Sequence, residues 1–133
     1  MTIPATIKEI HLVDYPKGVP TDDLYTIAQV PLRAAEQGEV TIRVVWMSVD
    51  PYMRGRMNPQ VKSYIPPFQK GEALDGGCVG QVVATKSDLF EVGDYVVGFN
   101  GGWREYYTGS AKAFTKVDPA VAPLSAYLGI LGM

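Results

Sequence analysis

Glycine and proline interrupt this sequence so often that a long helix has no room, with 14 Gly and 10 Pro among 133 residues. Both residues break helices and form turns, so the chain is divided into short segments. Most of these read as strands. Residues 5–13 are predicted as a first strand, ending at the turn-forming Asp14-Tyr15-Pro16-Lys17-Gly18. Residues 24–30 form a second, closed by Pro31. After the Gln37-Gly38-Glu39 turn, residues 40–49 make the clearest strand, with Val40, Ile42 and Val44 on one face and Thr41 and Arg43 on the other. From Val45 to Met47 both faces turn apolar, which predicts entry into a buried region.

Asp50-Pro51 then reads as a helix start. Asp50 is suited to capping exposed N–H groups, and Pro51 loses no donor at a first helical position. Gly55 limits this helix to a short turn. Residues 58–70 carry three prolines and two aromatics, and predict an extended loop too apolar to stand idle in water. Four more strands are expected at 78–85, 95–99, 103–108 and 113–117, two of them led by the glycine pairs Gly76-Gly77 and Gly101-Gly102. Residues 123–133 predict an apolar helix with no polar face and no stop signal, as in a truncated chain whose closing helix packs on something further. Short strands with sparse helix point to a mainly β, open barrel rather than a parallel sheet. No GxGxxG opens a helix, and the glycines at 76–80 lead into a strand, which argues against a phosphate cradle.

Composition narrows the function. Twelve basic against fourteen acidic residues give a net charge of −2 and a pI near 5.3, so no nucleic acid partner is expected. The single cysteine, Cys78, rules out an internal disulfide and a Cys-rich zinc site. No apolar run approaches the ~18 residues of a membrane helix, so no membrane partner is expected. The N-terminus lacks the layout of a secretory signal, which makes a cytoplasmic protein the plain expectation.

Two stretches are specific. Ser48-Val49-Asp50-Pro51-Tyr52-Met53-Arg54-Gly55-Arg56-Met57 resembles the DPYMRGRM signature of the zinc-independent medium-chain dehydrogenase/reductase family, in its prostaglandin reductase and alkenal double-bond reductase branch. Ser63-Tyr64-Ile65-Pro66-Pro67-Phe68-Gln69-Lys70-Gly71-Glu72 and Gly76-Gly77-Cys78-Val79-Gly80 are similar to the next block of that family. Glu91-Val92-Gly93-Asp94 and the closing Ala126-Tyr127-Leu128-Gly129-Ile130-Leu131-Gly132-Met133 follow in the same order. The resemblance implies a GroES-like, partly open β-barrel with short helices over residues 1–122. It also implies that residues 123–133 start a helix leading to an absent Rossmann domain, which would hold the cofactor.

Zinc-dependent relatives supply a Cys and a His where this chain has Ser48, Asp50 and Gly76-Gly77, and Cys78 and His11 lie on separate predicted strands. No metal is therefore expected. Without a Lewis acid, reduction of a polarised C=C bond is the more accessible chemistry. Charge then builds on an enolate oxygen that hydrogen-bond donors can stabilise. The resemblance thus implies the substrate-side domain of an NADPH-dependent reductase of α,β-unsaturated aldehydes or ketones. Alternatives are a quinone reductase of the same superfamily and a non-catalytic β-barrel binding or assembly module. The complete enzyme is expected to be a homodimer acting on a small enal, enone or quinone. The isolated chain is expected to be inactive, with its cofactor-binding residues in the absent domain.

Tyr52 is the leading catalytic and substrate-binding candidate, because a neutral phenol donates one hydrogen bond to a developing enolate. By position in the family, Phe99 and Asn100 are expected to line the substrate pocket, with Tyr64 and Phe68 as lid candidates. Arg54 and Arg56 are expected in structural ion pairs rather than on a cofactor phosphate. Cys78 reads as a small buried hydrophobe, His11 as structural, and Trp46 and Trp103 as packing residues.

Overall fold

The structure, a computed structural model, describes residues 3–60 and 66–129. Seven antiparallel strands carry the described fold: β1 (Thr6–Leu12), β2 (Tyr25–Pro31), β3 (Glu39–Met47), β4 (Cys78–Thr85), β5 (Tyr95–Gly98), β6 (Tyr106–Ser110) and β7 (Phe114–Val117). One α-helix, α1 (Tyr52–Arg56), and three short 3-10 turns complete it. The strands form a ribbon, β1-β2, and a five-stranded sheet ordered β6-β3-β4-β5-β7. The two are stitched together without closing. Ile10 N–H donates to Trp103 O at 2.9 Å, Glu105 N–H to Lys8 O at 3.1 Å, and a bridge pairs Glu9 with Arg104. This is the mainly β, partly open architecture expected from the segment lengths.

β3 is central, paired with β6 along one edge and β4 along the other. Its apolar face supplies Val40 and Ile42, both fully buried, to a core shared with Cys78, Val82, Phe90, Val96, Ala111 and Phe114. Burying each large side chain of that set is worth about 1.5–3 kcal/mol. Thr41 on the opposite face is also buried, where its hydroxyl meets that of Thr108 at 2.8 Å. The β3–β4 register slips between Thr41 and Ile42 and again between Val44 and Trp46. Gly80 lies opposite Val44 within this irregular stretch, where a Cβ would fall 2.7 Å from Arg43 O. A side chain there would push the two backbones apart.

A second core lies under α1: Leu12, Met53, Met57, Phe68 and Leu74, with Trp103 packed against it. The apolar loop does cover something, since Phe68 is only 5% exposed. Its anchor is Arg56, whose guanidinium stacks 4.1 Å from the Phe68 ring centroid and whose Nε donates to Pro66 O at 2.9 Å.

Four expectations are corrected. β3 does not run into a buried region, because Trp46 is 51% exposed and Met47 40%; an apolar pair of faces signals contact with something, not contact within this fold. The expected 103–108 strand begins at Tyr106 instead. Trp103 takes φ +65, and Trp103 to Glu105 turn their backbones toward β1. Asp50 does not cap α1 with its side chain, which accepts from Ser48 Oγ at 2.6 Å; its backbone carbonyl receives Met53 N–H. Residues 123–129 form no α-helix but a 3-10 turn, Leu124–Tyr127, behind a Pro123 held at ψ 144. The rest of that expected helix, 130–133, lies outside the described residues.

Gly80→Ala is expected to destabilise the protein by about 1–3 kcal/mol, the range for forcing a methyl into packed interior. The readout is a lower urea midpoint at unchanged slope. The start of β3 carries a pH-dependent brace. Arg33 binds both Glu39 oxygens, at 2.6 and 2.9 Å, and Glu36 N–H joins them, which pulls the Glu39 carboxyl down to about 2. A depressed folded-state pKa stabilises above the unfolded value and is lost as pH falls through the folded one. Glu39→Gln should therefore lower the melting temperature at neutral pH, by a margin that shrinks as pH drops from 4.5 toward 2.

Candidate active site

The site begins where β3 gives way to α1. Ser48 N–H donates to Gly77 O at 2.8 Å, which extends the β3–β4 ladder one step beyond Met47 and Cys78. The chain then turns through Asp50-Pro51, and Tyr52 opens α1 with its side chain 44% exposed. The Tyr52 hydroxyl overlooks Gly76, at 3.9 Å from the place a Cβ would occupy. Beside it, a Cβ on Gly77 would sit in ordinary contact with Ser48 Cβ and Leu128 Cδ2, at 3.5 and 3.4 Å. The two glycines form a buried floor beside the phenol, and Met53 Cε packs where a Gly76 Cβ would stand.

The 98–102 turn completes that floor. Gly102 N–H donates to Gly76 O at 3.2 Å, and Cys78 Sγ donates to Asn100 O at 3.1 Å. Gly101 needs to be glycine, because its φ is +101 and a Cβ would fall 3.0 Å from the Tyr107 ring and 3.2 Å from Cys78 Sγ. Asp75 ties the pieces: its Oδ1 accepts Gly101 N–H at 2.7 Å and Gly76 N–H at 3.1 Å. Above this turn Phe99 stands 79% exposed, and Asn100 is exposed beside it.

Burial raises the Tyr52 phenol above its ordinary value; the Asp50 carboxylate adds to this, Arg56 opposes it and Asp75 adds a little more. The group is thus held as a neutral donor. Burial, with Asp75 contributing, pushes the Cys78 thiol up to about 12. That thiol is a packing atom, as expected.

Two clefts flank β1. One, of about 430 Å³, is polar and is lined by Glu9, His11, Glu72, Asp75 and Arg104 among others; the other, of about 380 Å³, is apolar and takes in Ile10, Ile27, Val44, Met47 and Trp103. Tyr52, Phe99 and Asn100 line neither. The chemistry of a partly exposed neutral donor, rather than cleft size, marks the Tyr52 face as the candidate site.

Of the residues expected from sequence, Tyr52 lies near the Gly76 backbone, and Phe99 and Asn100 lie on the turn that meets it through Gly102 N–H. Tyr64 lies outside the described residues. Phe68 is a core plug rather than a lid. Among the described residues, Arg54 and Arg56 make neither ion pairs nor an open phosphate grip: Arg54 donates from Nε and Nη2 to Gly18 O, and Arg56 holds Pro66 O. Loops crossing a short helix expose carbonyls that need donors, and the two guanidinium groups supply them. His11 sits 2.9 Å from Glu9 Oε1, a structural role. Among the described residues, no three His, Cys, Asp or Glu side chains are grouped to hold a metal. Asp75 was missed. Its only sequence signal is an Asp before a glycine pair, which reads as a turn, and its partner Gly101 is 26 residues away.

Comparison with known proteins identifies the domain. Residues 8–117 match the family described as the N-terminal domain of oxidoreductase. The chain is 43% identical over 129 residues to the Bacillus subtilis (strain 168) protein YfmJ, covering 97% of this chain and 37% of that one. It is 32% identical over 130 residues to the NADP(+)-dependent 2-alkenal reductase of Nicotiana tabacum, covering 95% of this chain and 38% of the relative. The structure of CurA from Vibrio vulnificus in complex with NADPH superposes with a TM-score of 0.85 at 35% identity, over 95% of this chain and 37% of that one. The chain thus spans little more than a third of these proteins' length.

The buried Cys78 thiol should resist labelling by a thiol reagent at pH 8 in the folded protein and react fully once urea unfolds it. Rapid labelling of the native state would place Cys78 outside the core.

Proposed function

This chain belongs to the medium-chain dehydrogenase/reductase family, as its N-terminal oxidoreductase domain, and on that premise we propose that it is the substrate-side domain of an NADPH-dependent reductase of α,β-unsaturated aldehydes and ketones. Residues 1–122 are the substrate-side unit, and 123–133 lead toward a cofactor domain. The observation that carries the reading is Tyr52, a partly exposed phenol whose pKa is raised and whose hydroxyl lies near the Gly76 backbone. The 2-alkenal reductase activity of the tobacco relative and the NADPH in the CurA complex support the substrate class and the cofactor.

In this mechanism the dinucleotide supplies a hydride when bound, and the chain's own residues handle the substrate. The enone carbonyl oxygen lies against Tyr52, with Phe99 as an apolar wall and Asn100 as a polar one. As hydride adds to the β-carbon, the C=C π pair moves toward the carbonyl and negative charge collects on oxygen. The Tyr52 O–H donates a hydrogen bond to that oxygen, and this bond strengthens as the charge develops. A proton from solvent then completes the α-carbon. Asp50 and Asp75 assist indirectly, because negative charge near the phenol keeps its proton in place.

Arg54 and Arg56 are occupied by backbone carbonyls, which supports a phosphate grip in the cofactor domain instead. The isolated chain is accordingly inactive, and the complete enzyme is a cytoplasmic homodimer. Comparing enal-dependent with quinone-dependent NADPH oxidation separates this reading from a quinone reductase, and no NADPH binding at all would favour a β-barrel assembly module.

In the complete enzyme, Tyr52→Phe should lower kcat on the order of 10²-fold with an enal substrate, as expected for loss of an oxyanion donor, while NADPH affinity is unchanged. An unchanged kcat would remove Tyr52 from the mechanism.

A further inference from the structure

We propose that Asp75 is a positioning residue for the reductase reaction, acting by locking the turn that bears Phe99 and Asn100 onto the backbone beneath Tyr52; this rests on the functional reading above. One carboxylate oxygen does the joining. Asp75 Oδ1 accepts Gly101 N–H at 2.7 Å and Gly76 N–H at 3.1 Å, so a single acceptor binds the two strips of floor that flank the candidate site. Bonds from backbone N–H to a carboxylate are stronger than neutral ones. The turn needs that hold, because Gly101 at φ +101 and Trp103 at φ +65 put two unusual backbone conformations within three residues. For a residue as large as Trp, positive φ persists only when its surroundings enforce it.

Asp75 is itself held in place. Arg104 Nη1 lies 3.6 Å from Asp75 Oδ1, and Arg104 Nε lies 3.4 Å from Glu9 Oε2, an ionic contact without hydrogen-bond geometry. Glu9 Oε1 in turn meets His11 Nε2 at 2.9 Å. The Arg104 side chain is only 13% exposed and stacks 5.3 Å from the Tyr107 ring, whose face closes the space beneath Gly101. β1 therefore fixes the guanidinium, the guanidinium faces the carboxylate, and the carboxylate fixes the floor. A displacement of the Phe99–Asn100 wall by an ångström relative to Tyr52 would misalign a substrate between them, a loss of up to about 10²-fold.

The test compares Asp75→Ala and Asp75→Asn in the complete enzyme. Asn keeps an oxygen that can accept both N–H groups and loses only the charge; Ala removes the acceptor. With a 2-alkenal as substrate, Asp75→Ala is expected to lower kcat/KM by about 10- to 100-fold, with NADPH affinity unchanged, and Asp75→Asn to recover most of the loss. Hydrogen exchange supplies the second readout: segment 99–103 should lose protection in Asp75→Ala and regain it in Asp75→Asn. Unchanged kinetics in Asp75→Ala below its melting temperature, or an Asn variant no better than Ala, would overturn the proposal. If the wild-type enzyme reduces no enal, the functional reading fails instead, and the exchange pattern alone decides whether Asp75 locks the turn.

Discussion

The pairing of β3 with β4 is the constraint on which the rest of this molecule depends. It buries Val40 and Ile42 on one side of the sheet, and it sets Cys78 opposite Met47 at the far end. Once that register is fixed, Ser48 can meet only Gly77, and α1 must start where the ladder runs out. The candidate site is therefore a consequence of strand pairing. Its tyrosine is delivered by the end of one strand and its floor by the start of the neighbouring one.

Side-chain-free backbone is the second theme. Gly98 faces Phe114 so closely that a Cβ would lie 2.6 Å from the ring, and Gly101 is enclosed by Tyr107 and Cys78. Each glycine lets a strand end approach a neighbour more closely than any side chain would permit. The cost is that such segments have little side-chain packing of their own to hold them. Polar groups take over: Asp75 for the 76 and 101 amides, the Cys78 thiol for Asn100 O, and guanidinium groups for the loop carbonyls at Gly18 and Pro66. Two of these groups, Asp75 and Arg56, also act on the Tyr52 phenol through their charge.

Much of the strand layout was legible in the sequence. β4 matches its expected bounds, and β1, β2, β5 and β7 fall within a residue of theirs, because turn-forming residues bracket each one. The shift of β6 was not legible. Its cause is the positive φ of Trp103 and the bonds that Trp103 and Glu105 make to β1, a partner almost a hundred residues away. The exposure of Trp46 and Met47 was misread for a related reason, since an apolar run reports that a surface wants covering without saying by what. Arg54 and Arg56 looked like half of an ion-pair set; their partners proved to be backbone carbonyls, which carry no sequence label.

The sequence by itself determined a mainly β fold with one short helix, a buried thiol, and a tyrosine placed just after Asp50-Pro51. Each follows from local chemistry: glycine and proline spacing, β-branched alternation, and the preference of Pro for a first helical turn. The tertiary structure alone decided which glycines meet, that Phe68 plugs a core instead of closing a lid, and that Asp75 holds a backbone amide 26 residues away. Those outcomes depend on strand register and on which distant groups it brings together, many of them backbone atoms. Every residue has the same backbone atoms, so no residue type announces them in advance.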